Sequence, residues 1–302
     1  MQSNSWEITE KALIAIVKPI KSAAQAALHE TGLHVAGTHW TYLILATAIA
    51  PEPVTVARYY RYQAYISPDR IAGALQILSA HGFLRPAGSG AFVASRRAIA
   101  SIDQVTQAQR AMFAAMDVGS ESELERAIAL LSRIYTAIEQ VDAFPTHSFD
   151  DAKMRSITPQ QPLVEQVARY LSHLASYRTD CHLAAWCTHT DDGRLWDALT
   201  FVWRDDAHSA AELAAAAGNR GYSETDYADA LHSLVEMGWL MEESQGRYGV
   251  TESGRSLREE AEAETEHNFS IVWDGLDADE REELLELLIV FSERAKAIIQ
   301  PN

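Results

Sequence analysis

The 302-residue sequence predicts a mainly α-helical fold made of two copies of one unit. Three observations carry this. Long stretches of good helix formers open on capping residues. The sequence matches itself without a gap at an offset of 156. The only strand-like stretches are two short polar hairpins, one after each matched helix.

The match sets "SPDRIAGALQILSAHGFL" from Ser67 over "SETDYADALHSLVEMGWL" from Ser223. Ser67/Ser223, Ala72/Ala228, Ala74/Ala230, Leu75/Leu231, Leu78/Leu234, Gly82/Gly238 and Leu84/Leu240 coincide, as do Trp40/Trp196 and Leu43/Leu199. An offset near half the chain is the mark of a repeated domain. Ser67 with Pro68 opens the first helix, and Ser223 with Asp226 forms a capping box for the second. Gly82 and Gly238 supply the left-handed residue that ends each helix. The hairpins are "RPAGSGAFVASRR" and "MEESQGRYGVTESG". A short helix precedes each capped helix, around 54–65 and 209–217, with a longer apolar one before that. The order helix, helix, capped helix, β-hairpin is a winged helix-turn-helix.

The flanks repeat too. One helix leads into each unit, "EITEKALIAIVKPIKSAAQAALHE" and "QPLVEQVARYLSHLASY". Two follow the first unit, near 102–116 and 121–142, the latter capped by Ser120 and Glu123. Two follow the second, near 252–273 and 278–298, with Asp277 and Glu280 in the same role. The polar stretch 143–160, with two prolines, joins unit 1–142 to unit 161–302.

The run "RYGVTESGRSLREEAEAETEHNFSIVWDGLDADEREELLELL" resembles the end of a MarR-type regulator, in which a wing strand leads through a Thr-x-x-Gly-Arg step into a long helix. The pattern Arg-x-Asp-x-His-x-Ala-Ala, here Arg178, Asp180, His182, Ala184 and Ala185, is similar to that of an actinobacterial family of winged-helix relatives, which brings no established activity. The MarR resemblance implies a two-fold arrangement within one chain, imitating a dimer of single units. It also implies a small aromatic or apolar ligand held between the terminal helices and a winged unit.

Charge separates the two halves. Residues 1–110 carry 10 Lys/Arg against 6 Asp/Glu, and residues 111–302 carry 15 against 36. In the window 58–97 six arginines face one acid, while in the equivalent 214–253 two arginines face seven acids. Carboxylates at the head of a reading helix repel phosphates. DNA contact is therefore expected only from the first unit, through Arg58 and Arg61 before the reading helix, Arg70 within it, and Arg96 and Arg97 at the wing.

The stretches "YRTDCHLAAW" and "WRDDAHSAAE", 26 residues apart, share aromatic-Arg-x-Asp-x-His-x-Ala-Ala. Residues i and i+2 of a helix diverge, so neither Asp-x-His pair can grip one metal ion. The plain expectation is two helices with a polar stripe, Arg178 with His182 and Arg204 with His208. The alternative is a ligand site formed by Arg178, Asp180, His182, Trp186, Trp196, Trp203 and His208. Asp191, Asp192, Asp205 and Asp206 suit capping or solvated roles better than paired catalytic carboxylates. No nucleophile motif, phosphate-binding loop or zinc-binding spacing occurs, and Cys181 and Cys187 face different ways on a helix. No cofactor and no metal are expected.

With 47% hydrophobic and 22% charged residues, the composition is that of a globular protein. No apolar run spans a membrane and no secretory signal opens the chain, so a cytoplasmic protein is expected. The function expected is ligand-responsive transcription regulation through DNA binding by the first unit. The alternatives are a winged-helix protein that binds a small molecule or protein without DNA, and a metal-dependent enzyme. Further pairing into a homodimer stays open.

Overall fold

The computed structural model describes residues 3–299. Residues 1–2 and 300–302, which the expected units include, lie outside the described residues. The fold is mainly helical, in the order α1 (Ser3–Val17), α2 (Ile20–Glu30), a 3₁₀ stretch (Leu33–Thr41), α3 (Tyr42–Ala48), α4 (Val56–Tyr60) and α5 (Pro68–Ala80). The hairpin β1 (Leu84–Pro86) and β2 (Phe92–Ala94) precedes α6 (Arg96–Ala115) and α7 (Glu121–Ile138). Then come α8 (His147–Lys153), α9 (Leu163–Trp186), α10 (Gly193–Trp203), α11 (Ala210–Ala216) and α12 (Glu224–Glu236). A second hairpin, β3 (Leu240–Ser244) and β4 (Arg247–Val250), leads to α13 (Glu252–Ser270), a 3₁₀ turn and α14 (Ala278–Ile299).

Local geometry recurs at the sequence offset. Ser67 and Ser223 cap α5 and α12 by accepting from the backbone N–H three residues on. Gly82 and Gly238 both end their helices at φ 74°. In register, Leu84 pairs with Ala94 and Leu240 with Val250. The Ser95 hydroxyl donates to the Gly82 carbonyl at 2.8 Å, and Thr251 donates to Gly238 at 2.7 Å. Even the third strand contact recurs: Val54 pairs with Phe92, and the Tyr248 N–H donates to the His208 carbonyl.

The leading flank departs from expectation. A single helix is expected over "EITEKALIAIVKPIKSAAQAALHE", but it breaks at Lys18–Pro19 into α1 and α2. Proline lacks the N–H and crowds the preceding turn. The equivalent α9 has Ala175 there and runs unbroken for 24 residues. The joining stretch also has structure of its own, since α8 lies within it and buries Phe149.

Three apolar clusters hold the chain. One gathers residues of α3, α4 and α5 and their flanks (Leu43, Val54, Tyr59, Ile71, Leu75, Leu78) and one residues of α9, α10 and α12 (Trp186, Trp196, Leu199, Tyr227, Leu231). The third gathers flanking helices from both halves, including Ile16, Leu131, Ile134, Leu171, Phe269 and Leu288. Within it α1 packs on α14 and α9 on α7, so each half buries its long helices against the other.

Candidate functional site

A cavity of ≈ 580 Å³ opens between α1, α9, α10 and α13, with Trp6, Tyr65, Arg178, His182, Arg220 and Arg258 in its lining. Arg258, 1% exposed, lies between the rings of Trp196 and Trp203 at 5.2 and 5.0 Å. Its Nε donates to Thr200 Oγ1 at 3.1 Å, and an ion pair ties it to Glu262 at 2.5 Å. Burial would raise the Glu262 carboxyl, but the charge and hydrogen bond of Arg258 hold it below the ordinary range. Arg178 pairs with Glu266 and stacks on Trp6 at 4.9 Å. Arg220 pairs with buried Asp197 at 3.4 Å; burial raises that carboxyl and Arg220 opposes the rise. Arg204, exposed at the cavity wall, has no hydrogen-bonding or ion-pairing side-chain partner among the described residues.

His182 sits at the centre of a one-way relay. The Thr265 hydroxyl donates to the Ala261 carbonyl at 2.7 Å, so its oxygen accepts from His182 Nδ1–H at 3.2 Å. Nε2 is then the acceptor, and the Tyr65 hydroxyl donates to it at 2.8 Å. Burial drives the imidazole down to about 4, so it is neutral near pH 7. Both ring nitrogens are thus engaged, Nδ1 as donor and Nε2 as acceptor.

The structure gathers only some of the seven residues in the expected ligand set. Arg178 and His182 line the cavity, and half-buried Trp203 stacks on Arg258 at its edge. Trp186 and Trp196 are fully buried and stacked on each other at 5.6 Å, which makes them core. Asp180 points elsewhere: its two oxygens accept the N–H groups of Ser148 and Phe149, each at 2.8 Å, at the start of α8. His208 bonds the Tyr248 carbonyl and Asp205 beside the second wing. The expectation of two helices with matching polar stripes is corrected. The first copy lies in α9, but α10 ends at Trp203 and Asp205 adopts φ 65°, so the second copy is a turn. Among the described residues no three His, Cys, Asp or Glu side chains converge as a metal site, and Cys181 and Cys187 are free.

The five arginines of the expected DNA surface are scattered. Arg58 is engaged by Asp151 at 2.5 Å, and Arg61 is exposed beside it. Arg70 sits in the first turn of α5, against Gly221 of the other half. Arg96 and Arg97 stand on the first turn of α6, at the foot of the hairpin and not at its tip. Arg97 turns back to donate to the His81 carbonyl at 2.9 Å and covers Phe83. The head of α5 is itself covered: the Ser67 N–H donates to the Arg220 carbonyl at 2.8 Å, and its hydroxyl to Gly221 at 3.1 Å. The turns ahead of α5 and α12 therefore touch, whereas two helices reading successive DNA half-sites stand about 34 Å apart. On α12 the exposed positions include Glu224, Asp229 and Glu236.

Sequence reading missed Tyr65, Asp197, Arg220 and Arg258. The only signals were the aromatic run "RYYRYQAY" and the i, i+4 spacing of Arg258 and Glu262.

Residues 151–299 match a helix-turn-helix family. No curated protein and no solved structure matches the chain. The second half thus carries a helix-turn-helix domain, a class to which DNA-binding regulators in general belong. No helix among the described residues is long and apolar enough to cross a membrane.

Proposed function

We propose that the protein is a ligand-responsive transcription regulator of MarR-like design, two winged units fused in tandem. In this reading the second unit holds a small ligand in the cavity beside α9, and the first unit contacts DNA. The recurrence of caps, hairpin register and flanking-helix pairs at one offset supports the tandem reading. The observation that carries the function is the double engagement of Arg220. Its side chain lines the cavity while its carbonyl holds the head of α5, the helix that would read DNA. A ligand displacing that side chain shifts the same loop that covers α5, which gives the two sites a physical coupling. A planar ligand with an anionic group fits best, because Trp6 and Tyr65 offer rings and Arg204 is an unpaired cation at the wall.

The covered state of Ser67 favours a second reading, a small-molecule-binding protein that no longer contacts DNA. Fluorescence anisotropy with a labelled duplex at low salt separates the two. Gly221 adopts φ 84°, and a Cβ there would lie 2.7 Å from Arg70 Cβ, so Gly221→Val must push α5 off the loop. The regulator reading expects Gly221→Val to bind DNA at least several-fold more tightly than wild type. If neither protein binds, the second reading replaces the first.

A further inference from the structure

The turn between α4 and α5 carries Tyr65 and is inserted into the other half of the chain. Ala64, 7% exposed, belongs to the apolar cluster of Trp186 and Trp196. Gly193 makes the room for it, since a Cβ there would stand 2.1 Å from the Ala64 carbonyl oxygen. The half-buried Tyr65 ring lies 5.7 Å from Trp186, and the Arg220 guanidinium covers it at 5.1 Å. Its hydroxyl donates to Nε2, the one ring nitrogen of His182 that is left to accept. Floor, lid and acceptor together form a subsite shaped for a phenol. It opens on the ≈ 580 Å³ cavity, which Tyr65, His182 and Arg220 all line.

The scaffold does not require this pair. At the repeat offset of 156, Tyr65 corresponds to Gly221, His182 to Ala26 and Arg220 to Ala64. The equivalent places therefore hold no phenol, no acceptor and no lid, although the same caps and hairpins form around them. Burial keeps the imidazole neutral down to about 4 and lifts the Tyr65 hydroxyl above its ordinary range. Acceptor and donor keep their roles at neutral pH.

We propose that Tyr65 is a built-in competitor: the subsite on His182 takes free phenols, and a phenol that enters it expels Tyr65 and frees the turn leading into α5. This rests on the ligand cavity of the proposed regulator and names the end of the ligand that acts there, a ring bearing a hydrogen-bond donor. Two residues beyond Tyr65, the Ser67 N–H holds the Arg220 carbonyl at 2.8 Å, so exchanging one phenol for another reaches the head of α5. Ligand binds against the free energy of expelling Tyr65, and a chain lacking that side chain is relieved of it.

Calorimetric titration of the full chain with p-cresol and toluene tests it. p-Cresol is the tyrosine side chain without its backbone, and toluene lacks only the hydroxyl. p-Cresol is expected to bind Tyr65→Ala at least about tenfold more tightly than wild type. On that variant it should also bind about three- to tenfold more tightly than toluene, the worth of one neutral hydrogen bond. Adding His182→Leu should abolish this preference. Tyr65→Phe keeps the ring but leaves Nε2 without a donor, so it too should bind p-cresol more tightly than wild type, and it decides the matter where Tyr65→Ala does not fold. In wild type, saturating p-cresol should speed hydrogen exchange at the Ser67 amide. No binding to the Tyr65 variants, equal binding of the two probes, or no gain on removing Tyr65 overturns the proposal. Unchanged Ser67 exchange does so too, by showing Tyr65 to be a structural tie between the halves. No DNA enters these measurements, so they fail separately from the regulator reading, which the Gly221→Val comparison decides.

Discussion

His182 and Asp180 stand two residues apart on α9 and are pushed in opposite directions by the same burial. The imidazole falls to about 4. An unfolded histidine takes up its proton near 6.5, so this residue's contribution to stability is whole above that pH. It is lost as pH falls from about 6.5 to about 4, because the unfolded chain then binds a proton that the folded one refuses. Asp180 is raised to about 7 by burial, against the pull of its two N–H donors. Its contribution is whole below the unfolded value near 4 and declines as pH rises toward 7. The two slopes oppose each other, so the informative quantity is the difference between wild type and His182→Gln. Between pH 6.5 and 4 the wild type should lose stability relative to that variant. A constant difference in unfolding free energy across the window would show that the imidazole is not held neutral. Asp180→Ala leaves two helix-start N–H groups without an acceptor, and about 2–3 kcal/mol of stability should go with them in chemical denaturation. The motif around Asp180 looked like a binding pattern because its partners, Ser148 and Phe149, lie more than thirty residues earlier. Nothing local in the sequence shows what a buried acid faces.

Capped elements were legible because their signals are local. Ser67, Ser120 and Ser223 each bond three residues ahead, and Gly82 and Gly238 have the left-handed conformation that ends a helix. The second Arg-x-Asp-x-His copy was not legible, because Asp205 terminates α10 where composition suggested continuation. The covering of α5 by the Arg220 loop depends on contacts 150 residues apart, beyond any periodicity. Element by element, the DNA surface of the proposed regulator is narrow. Arg85, Arg96 and Arg97 are exposed near the C-terminal end of α5, whereas Arg247 is paired with Glu212 at 2.9 Å. Replacing Arg96 and Arg97 together with alanine should weaken binding to any duplex. It should also lower the salt slope by about two, in proportion to the phosphates released. Arg247→Ala should change neither. An anisotropy salt series in which Arg247→Ala had the larger effect would assign DNA contact to the wrong half.

For the whole molecule, α3–α5 and α10–α12 have clusters of their own, but the long helices share one. Ile16 of α1 and Leu131 of α7 belong to the same cluster as Leu171 of α9 and Leu288 of α14. Residues 1–142 expressed alone would expose the faces that α9 and α14 cover, and residues 161–302 would expose those that meet α1 and α7. Each fragment is expected to be aggregated or self-paired in sedimentation. The intact chain should unfold in one transition by both circular dichroism and tryptophan fluorescence. Two separated transitions would mean that the halves are thermodynamically independent. Which helix faces which was not foreseeable, since apolar stripes on α1, α7, α9 and α14 suit several pairings.

The contact between α1 and α14 also bears on how the chain comes off the ribosome. Synthesis runs at roughly 5–20 residues per second, so α1 waits tens of seconds for α14, whose first residue is Ala278. During that interval Ala12, Ala15 and Ile16 have no α14 to lie against, and α3–α5 can close only their own small cluster. A codon-level slowdown in the second half would lengthen this exposure. The yield of folded protein should therefore depend on translation speed and on chaperones that shield the early helix, more than it would for a protein whose halves finish one after the other.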